Sequence, residues 1–419
     1  MHFKLKLCAI AVALAVTTPV LAEKMSSGPF GFEPLTESAN KDNWNPQAPW
    51  KIPAGFTQSV VSGESALNIY DEGRDDWHDM NTVNETGKMV GRYLYRTHEV
   101  RGAAEGGAVS VVDLKTGETK ILAQDASWNA IDGIRWTPWE SLLIGEEVAG
   151  GRFFEIILDM KNPMKMAKVV DRPAVGRMAH EGIEVGNDGA IYVVDEFRGA
   201  SSGFGGGIYK FVPDKRGDLS SGELYVLAVS GEEYSTGQGM WMGPIDASDA
   251  RNSGTQFGGA SYQRPEDLEI IGNTLYAAVT EGPRDEKGKE FFEGRVLAID
   301  LNSMMVSNYI MPGVNVPVEI GKPGEEGHQT GWDSVDNLAQ TPDGKLIIIE
   351  DNKPSDIWIA TKDLDKDGMA DRVDLFASLT DPEAEGTGIY FGKEPNTLFV
   401  NIQHSAAKDG DATWAIRKK

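Results

Sequence analysis

The sequence predicts an all-β chain that closes as a six-bladed β-propeller, with an N-terminal extended segment and an inserted loop region before the fourth blade. Three observations carry this reading. The 419 residues include 48 glycines and only short apolar runs, which favours strands joined by many turns over helices. A strand-turn-strand unit recurs six times. In the first five units a polar or acidic residue opens the first strand, and an acid closes the second strand fifteen positions later.

The units run in order along the chain. Asn84-Glu85 precedes Tyr93–Glu99, Asp132-Gly133 precedes Leu142–Glu147, and Glu181-Gly182 precedes Ile191–Glu196. Glu266-Asp267 precedes Tyr276–Glu281, Asp336-Asn337 precedes Leu346–Asp351, and a slightly longer sixth unit runs from Glu385 to His404. Turns such as Gly186-Asn187-Asp188-Gly189 and Pro342-Asp343-Gly344 are of hairpin type. In a propeller the first strand of each blade lines the central channel, so the opening residues should converge at one end of it.

The flanks divide the chain into residues 1–22, 23–80 and 81–419. Lys4 and Lys6 precede an apolar run from Leu7 to Val16, and Val20-Leu21-Ala22 suits signal cleavage before Glu23. This run is too short to span a bilayer, and an exported, periplasmic or secreted protein is expected. Residues 23–80 are rich in Pro, Asn, Ser and Trp and read as an extended segment on the propeller, with a strand near Phe56–Val61. Gly231 to Tyr262 is read as an insertion over one face. The only cysteine, Cys8, lies in the signal, so the mature chain has neither a disulfide nor a thiolate ligand.

Removing Lys4 and Lys6 from the 40 basic residues leaves 38 against 64 acidic ones, which argues against nucleic-acid binding. Converging carboxylates repel one another unless cations lie between them. Asp132, Glu181, Glu266, Asp336 and Glu385, which open the units, are therefore candidate metal ligands, and an all-oxygen set suits Ca²⁺, Mg²⁺ or Mn²⁺. Arg264, two residues before Glu266, is placed to pair with a bound anion, above all phosphate. His98, His180 and His404 stand at unit boundaries, and His180 is taken as the candidate proton donor. Separately, Asp363, Asp365, Asp367, Met369, Asp371 and Asp374 fall at the liganding positions of a calcium loop, with Gly368 at its sharp turn. That loop lies away from the proposed channel residues and is read as structural.

Short motifs then point to a family. Thr97-His98-Glu99, Thr137-Pro138-Trp139 with Glu146-Glu147, and Gly176-Arg177-Met178-Ala179-His180-Glu181 resemble PhoX-type alkaline phosphatases. So do Arg264-Pro265-Glu266, Asp336-Asn337-Leu338, Glu385-Gly386-Thr387-Gly388 and Asn401-Ile402-Gln403-His404. The resemblance implies an exported propeller that hydrolyses small phosphomonoesters with several Ca²⁺ and iron in its channel. It implies metal-binding roles for Glu147, Glu181, Glu266 and Asp336, and a phosphate-gripping role for Arg264. The family's cysteine iron ligand falls here on Asp132, so a carboxylate replaces a thiolate. That favours an oxygen shell for Ca²⁺, Mg²⁺ or Mn²⁺, while iron stays open because carboxylates also hold it. The competing expectations are a Ca²⁺-dependent lactonase or esterase using His98 or His180 as base, and a calcium-stabilised binding propeller without turnover. No membrane span is expected in the mature chain, and a monomer is expected.

Overall fold

The computed structural model describes residues 23–67, 77–102, 104–199, 205–231, 234–283, 289–392, 394 and 396–419. The expected signal, residues 1–22, lies outside the described residues. The protein is almost entirely antiparallel strands arranged like a propeller, in five sheets. One four-stranded sheet holds His78–Val83, Tyr93–His98, Ala108–Asp113 and Thr119–Gln124, and a second holds Ile131–Trp136, Ser141–Glu146, Phe153–Ile157 and Lys168–Asp171. A nine-stranded sheet runs outward from Ile183–Val185 to Asp218–Val229 and Gly237–Ile245, then returns through Met305–Ile310 to Gln263–Ile271. The remaining two sheets begin at Val335–Gln340 and Glu385–Phe391.

The first strands form a closed ring. His78–Val83 packs beside Ile131–Trp136, then come Ile183–Val185, Gln263–Ile271, Val335–Gln340 and Glu385–Phe391, which packs back against His78–Val83. The second strands lie between layers and are apolar along nearly their whole length. Ser141–Glu146 and Leu346–Glu350 are buried at every residue, because both faces of each sheet meet a neighbouring sheet. Tyr95, Trp136, Leu142 and Ile144 belong to one such interlayer core, and Leu275, Leu297 and Leu227 to another.

The N-terminal segment is part of this architecture. Trp50–Lys51 pairs with Val373–Leu379, and Phe56–Gly63 pairs with the C-terminal strand Ala412–Lys418. The last sheet is thus completed by a strand from the start of the chain, which ties the two ends together. Phe30 anchors the segment: its ring centroid lies 5.1 Å from Phe56, 5.2 Å from Phe376 and 4.8 Å from Phe391. Within the region expected as an insertion lies the strand Gly237–Ile245, which pairs with Asp218–Val229 and briefly with Met305–Ile310. The helix Ala250–Gln256 follows it.

The first repeat is corrected by the structure. Its opening strand is His78–Val83, not one starting at Asn84, so the expected division at residue 80 falls inside a strand. Asn84 lies at the strand's far end. There its side chain donates to the Met89 carbonyl at 2.6 Å and accepts from the Tyr93 N–H at 2.8 Å. Residues 84–92 form a long connection rather than a tight turn, so the spacing that marked the other units misplaced this one.

Candidate metal centre and phosphate site

Acids reach the channel through a local irregularity that the sheets share. In five of the paired first strands the register slips by one residue: between His78 and Asn81, Ile131 and Ile134, Pro265 and Leu268, Val335 and Leu338, and Thr387 and Tyr390. Each slip is a β-bulge, with two residues opposing one, and it turns its side chains out of the regular alternation. The bulges contain Asp79, Asp132, Glu266 and Asp336, with Gly388 at the fifth. The residue after the acid touches the next strand of the ring. A side chain at Gly133 would meet the Glu181 carbonyl at 1.7 Å, so only glycine fits there. Gly182 donates its N–H to the Glu266 carbonyl at 2.9 Å. Asp267 accepts from Leu338 N–H at 2.8 Å, and Asn337 accepts from Gly388 N–H at 2.6 Å. The bulges therefore lock the ring while aiming the acids inward.

A cavity of about 170 Å³ lies where they meet. Nine carboxylates line it: Asp79, Asp132, Glu266, Asp336 and Glu385 from the first strands, Glu181 from just before one, and Glu99, Glu147 and Asp351 following the second strands. Arg101, Arg264, Thr387 and Gln403 complete the lining. Carboxylate oxygens of Glu181, Glu266 and Asp336 lie within 4.8 Å of one another.

Electrostatically this cluster is unstable as a set of bare anions. Burial first, then Asp79 and Glu147, hold Asp132 well above the usual carboxylate range. Asp79, Glu181 and Asp336 are raised in the same way, by burial and then by neighbouring carboxylates. Burial and Glu99 push Glu147 up to about 9, and burial and Glu385 push Asp351 up to about 8. Glu385 differs: burial opposes its ionisation, but hydrogen bonds with His404 and Asp351 hold it below its ordinary value.

Two guanidiniums are fixed at the rim. Arg264 has φ +52°, a left-handed conformation that a branched or long side chain adopts at some cost in strain. Its Nε donates to Glu196 and its Nη2 lies 3.1 Å from Glu266, so two carboxylates set the plane of the group. Arg101 is held similarly, 2.8 Å from Glu99 and bonded to Glu147.

The structure thus brings Arg264, Asp132, Glu147, Glu181, Glu266, Asp336 and Glu385 together. Glu385 arrives from the first residue of its strand rather than from a bulge. His180 is not among the lining residues. It is buried with Nε2 donating to the Gly176 carbonyl at 3.1 Å, packed on Phe153, and burial lowers its pKa to about 4. His98 is likewise buried, 2.7 Å from the Ser110 hydroxyl. His404 stands at the rim, 3.4 Å from Glu385 and against the ring of Trp77. Sequence reasoning missed Asp79, Arg101, Thr387 and Gln403. It noted Glu99 and Asp351 only as closing acids of the repeat, and that recurrence was the signal that identifies them.

The residues fit hard cations. Asp132 Oδ1 is buried and has no hydrogen-bond partner among the described residues, and every charged lining group that could ligate offers oxygen. Among the described residues, neither histidine nor cysteine lines the cavity. In the separate acidic loop, Asp363, Asp365 and Asp371 bring ligand atoms within 4.8 Å. Asp367 and Met369 stand in the same turn, Asp367 accepting from the Met369 N–H at 2.9 Å, whereas Asp374 is on a strand and bonded to Arg372.

Fold and site together define a propeller-like protein whose acidic channel could hold cations beside a fixed guanidinium. The PhoX alkaline phosphatase family profile matches residues 145–406, more than half of the chain, and the chain belongs to that metal-dependent family. Its activity is phosphomonoester hydrolysis. A structure of Pseudomonas fluorescens PhoX in complex with vanadate, a transition state analogue, is 16% identical with TM-score 0.62, covering 93% of this chain and 98% of that one. Two more distant propeller-like folds are the PQQ-bound aldose sugar dehydrogenase from Streptomyces coelicolor and the calcium structure of the Trichoderma reesei family AA12 protein. The first is 16% identical with TM-score 0.48 and covers 88% of this chain and 99% of that one. The second is 10% identical with TM-score 0.49 and covers 91% and 100%. No curated protein sequence matches the chain.

Proposed function

We propose that the nine-carboxylate cavity is the catalytic centre of this phosphatase and that Arg264 grips the phosphoryl group there. The observation that carries this reading is Arg264 itself, held by Glu196 and Glu266 in a strained conformation at the edge of the acid cluster. A guanidinium whose plane is fixed beforehand presents paired donors to phosphate without reorganising as charge develops. Arg101, held by Glu99 and Glu147, faces the same cavity and supplies a second positive charge. The vanadate bound by the Pseudomonas fluorescens relative supports a phosphoryl-binding role for such a site.

Asp79, Asp132, Glu147, Glu181, Glu266, Asp336 and Glu385 would hold the cations, of which Ca²⁺ is the first choice for an all-oxygen shell, with Mg²⁺, Mn²⁺ or iron as alternatives. Bound cations supply Lewis-acid polarisation of the phosphoryl oxygens and neutralise the carboxylates. The chain's own residues orient the ester and hold the guanidiniums in place. Thr387, the only hydroxyl side chain lining the cavity among the described residues, donates to the His78 carbonyl at 2.9 Å, and the attacking oxygen is read as coming from water.

The nine-stranded sheet is read as two blades joined by the inserted strand, which gives six blades in all. The Asp363–Asp371 turn is read as a structural calcium site. The N-terminal segment before His78 is read as a clasp on the propeller, and the protein as an exported, periplasmic or secreted monomer. Among the described residues no helix is long and apolar enough to cross a membrane. An esterase reading would need a histidine base, and among the described residues none lines the cavity, His404 standing beside Glu385 at its rim.

The test is turnover of p-nitrophenyl phosphate and of an aryl ester, with Ca²⁺ added or chelated, in wild type and Arg264→Ala. Phosphate turnover that needs the cation and falls with Arg264→Ala supports the reading. Ester turnover alone would overturn it.

A further inference from the structure

In three places the residue before a closing acid of the repeat is itself a buried carboxylate outside the channel cavity: Glu146 before Glu147, Asp195 before Glu196 and Glu350 before Asp351. Two of them are neutralised within the protein. Glu146 accepts from Arg152 at 2.7 and 2.8 Å, and Asp195 from Arg251 by two contacts of 2.6 Å. Among the described residues no guanidinium or ammonium bonds Glu350. Its Oε1 accepts from the Asp333 N–H and the Trp358 indole, each at 2.9 Å, while its Oε2 is buried with no hydrogen-bond partner among the described residues.

Where the other two acids meet an arginine, Glu350 meets a second acid. Ile349 pairs with Ile357, so Glu350 and Asp356 come next on that ladder and face each other, both fully buried. Asp356 Oδ2 accepts from Ser38 at 2.6 Å and from Thr330 at 3.1 Å, whereas its Oδ1 is buried with no partner among the described residues. The charge of Lys51 reaches Asp356, but its ammonium is bonded to Glu37 at 2.7 Å. Like charges opposite each other on a ladder are destabilising, and burial raises the cost. Asp356 acts on Glu350 through its charge, whereas Glu181 and Glu266 in the channel also hydrogen-bond each other. The Glu350–Asp356 pair thus lacks the contact that a shared proton needs, and it keeps two free oxygens facing a gap.

We propose that Glu350 Oε2 and Asp356 Oδ1 bind a hard cation, with Ca²⁺ the first choice, at a site separate from the channel and from the Asp363–Asp371 turn. The Ser378 hydroxyl, on the residue paired with Asp356 in the next strand, and water complete an all-oxygen shell. Ser38 and Ala39, which bond Asp356 and Ser378, belong to the N-terminal segment. The cation therefore fastens that segment to the sheet that begins at Val335–Gln340, and it steadies the turn that carries Asp351 into the cavity. The inference does not depend on the phosphatase reading.

The experiment counts Ca²⁺ bound per chain, by elemental analysis after equilibrium dialysis, in wild type, Glu350→Gln and Asp356→Asn. Each variant should bind one Ca²⁺ fewer than the wild type and lose part of the Ca²⁺-induced rise in melting temperature, while kcat for p-nitrophenyl phosphate is retained. An unchanged count in either folded variant overturns the proposal. A melting temperature that is then unchanged or raised marks a shared proton instead, because the amide mimics the protonated acid. Trp358→Phe keeps the test open if the acid variants fold poorly. Tb³⁺ beside Glu350 is excited through the indole bonded to that residue, so this variant should lose tryptophan-sensitised luminescence that the wild type shows. An equal terbium signal in the two proteins overturns the site.

Discussion

The two ends of the central channel are built from the same six strands, and both bury more carboxylates than guanidiniums, yet they differ in how many of those acids the protein itself pairs. At the end already described, nine carboxylates face two guanidiniums. Further along the strands, Arg135 lies 2.7 Å from Glu184 and 3.4 Å from Glu269. Gln340 donates to Glu269 as well, and Tyr390 donates to Glu85, around a pocket of about 370 Å³. Here each carboxylate has a named protein partner, and the arrangement needs nothing from outside to be satisfied. At the first end the protein supplies too few partners. The comparison separates buried acids that stabilise a ring from buried acids that require a cation.

Arg264→Ala should break the contrast most sharply. Removing a preorganised donor from a developing oxyanion costs about 10²- to 10³-fold in kcat. Steady-state phosphatase kinetics at saturating Ca²⁺ would read it, with thermal unfolding little changed because Glu196 and Glu266 remain near bound cations. Arg135→Ala should do the reverse. It strands Glu184 and Glu269 without their cation, so stability should fall by about 3–5 kcal/mol in urea unfolding. Phosphatase activity per folded molecule should change less than in Arg264→Ala.

Stability against pH sharpens the comparison further. Glu147 is raised from 4.5 to about 9 and Asp351 from 3.8 to about 8, in both cases mainly by burial. A carboxyl whose folded pKa is raised contributes its stabilisation fully below its unfolded pKa, and that contribution is lost as pH rises through the folded value. The chelated protein should therefore lose thermal stability progressively from about pH 4.5 to about pH 9, and Ca²⁺ should suppress that loss. A flat melting profile for the chelated protein would show that the acids are already compensated.

Smaller effects are expected at the acidic turn. Asp363→Asn should reduce the Ca²⁺-induced rise in melting temperature by the equivalent of about 1 kcal/mol, while Asp374→Asn, on a strand and paired with Arg372, should leave it nearly intact.

Much of this was legible in the sequence, for a physical reason visible at Asp132, Glu266 and Asp336. Each opens a hairpin of nearly the same length and sits in the same bulge, so one spacing describes all three. Glu181 shares the spacing from just before its strand, Ile183–Val185. Asp79 was hidden because the connection 84–92 is long, and a spacing rule shifted its unit to Asn84. Arg101 was hidden for another reason. Nothing local distinguishes it from a surface arginine, and only the approach of Glu99 and Glu147 shows its role. His180 erred in the opposite direction: it adjoins Glu181 in sequence, but its ring is buried against Phe153 and bonded to the Gly176 carbonyl, away from the cavity.

Strand alternation, hairpin turns and bulge positions are local matters, governed by a few neighbouring residues and their backbone hydrogen bonds. The chain order alone therefore specified an all-β repeat with an acid at a recurring place, and it singled out Arg264 beside one of those acids. Ring closure is not local. It rests on Phe56–Gly63 pairing with Ala412–Lys418 and on packing between sheets, and it alone brings Asp79 and Glu385 into one cavity. Which acids find a partner depends on which side chains are buried together, so the excess of unpaired carboxylates at one end, and the pairing of Glu184 and Glu269 with Arg135 at the other, were decided by the tertiary structure.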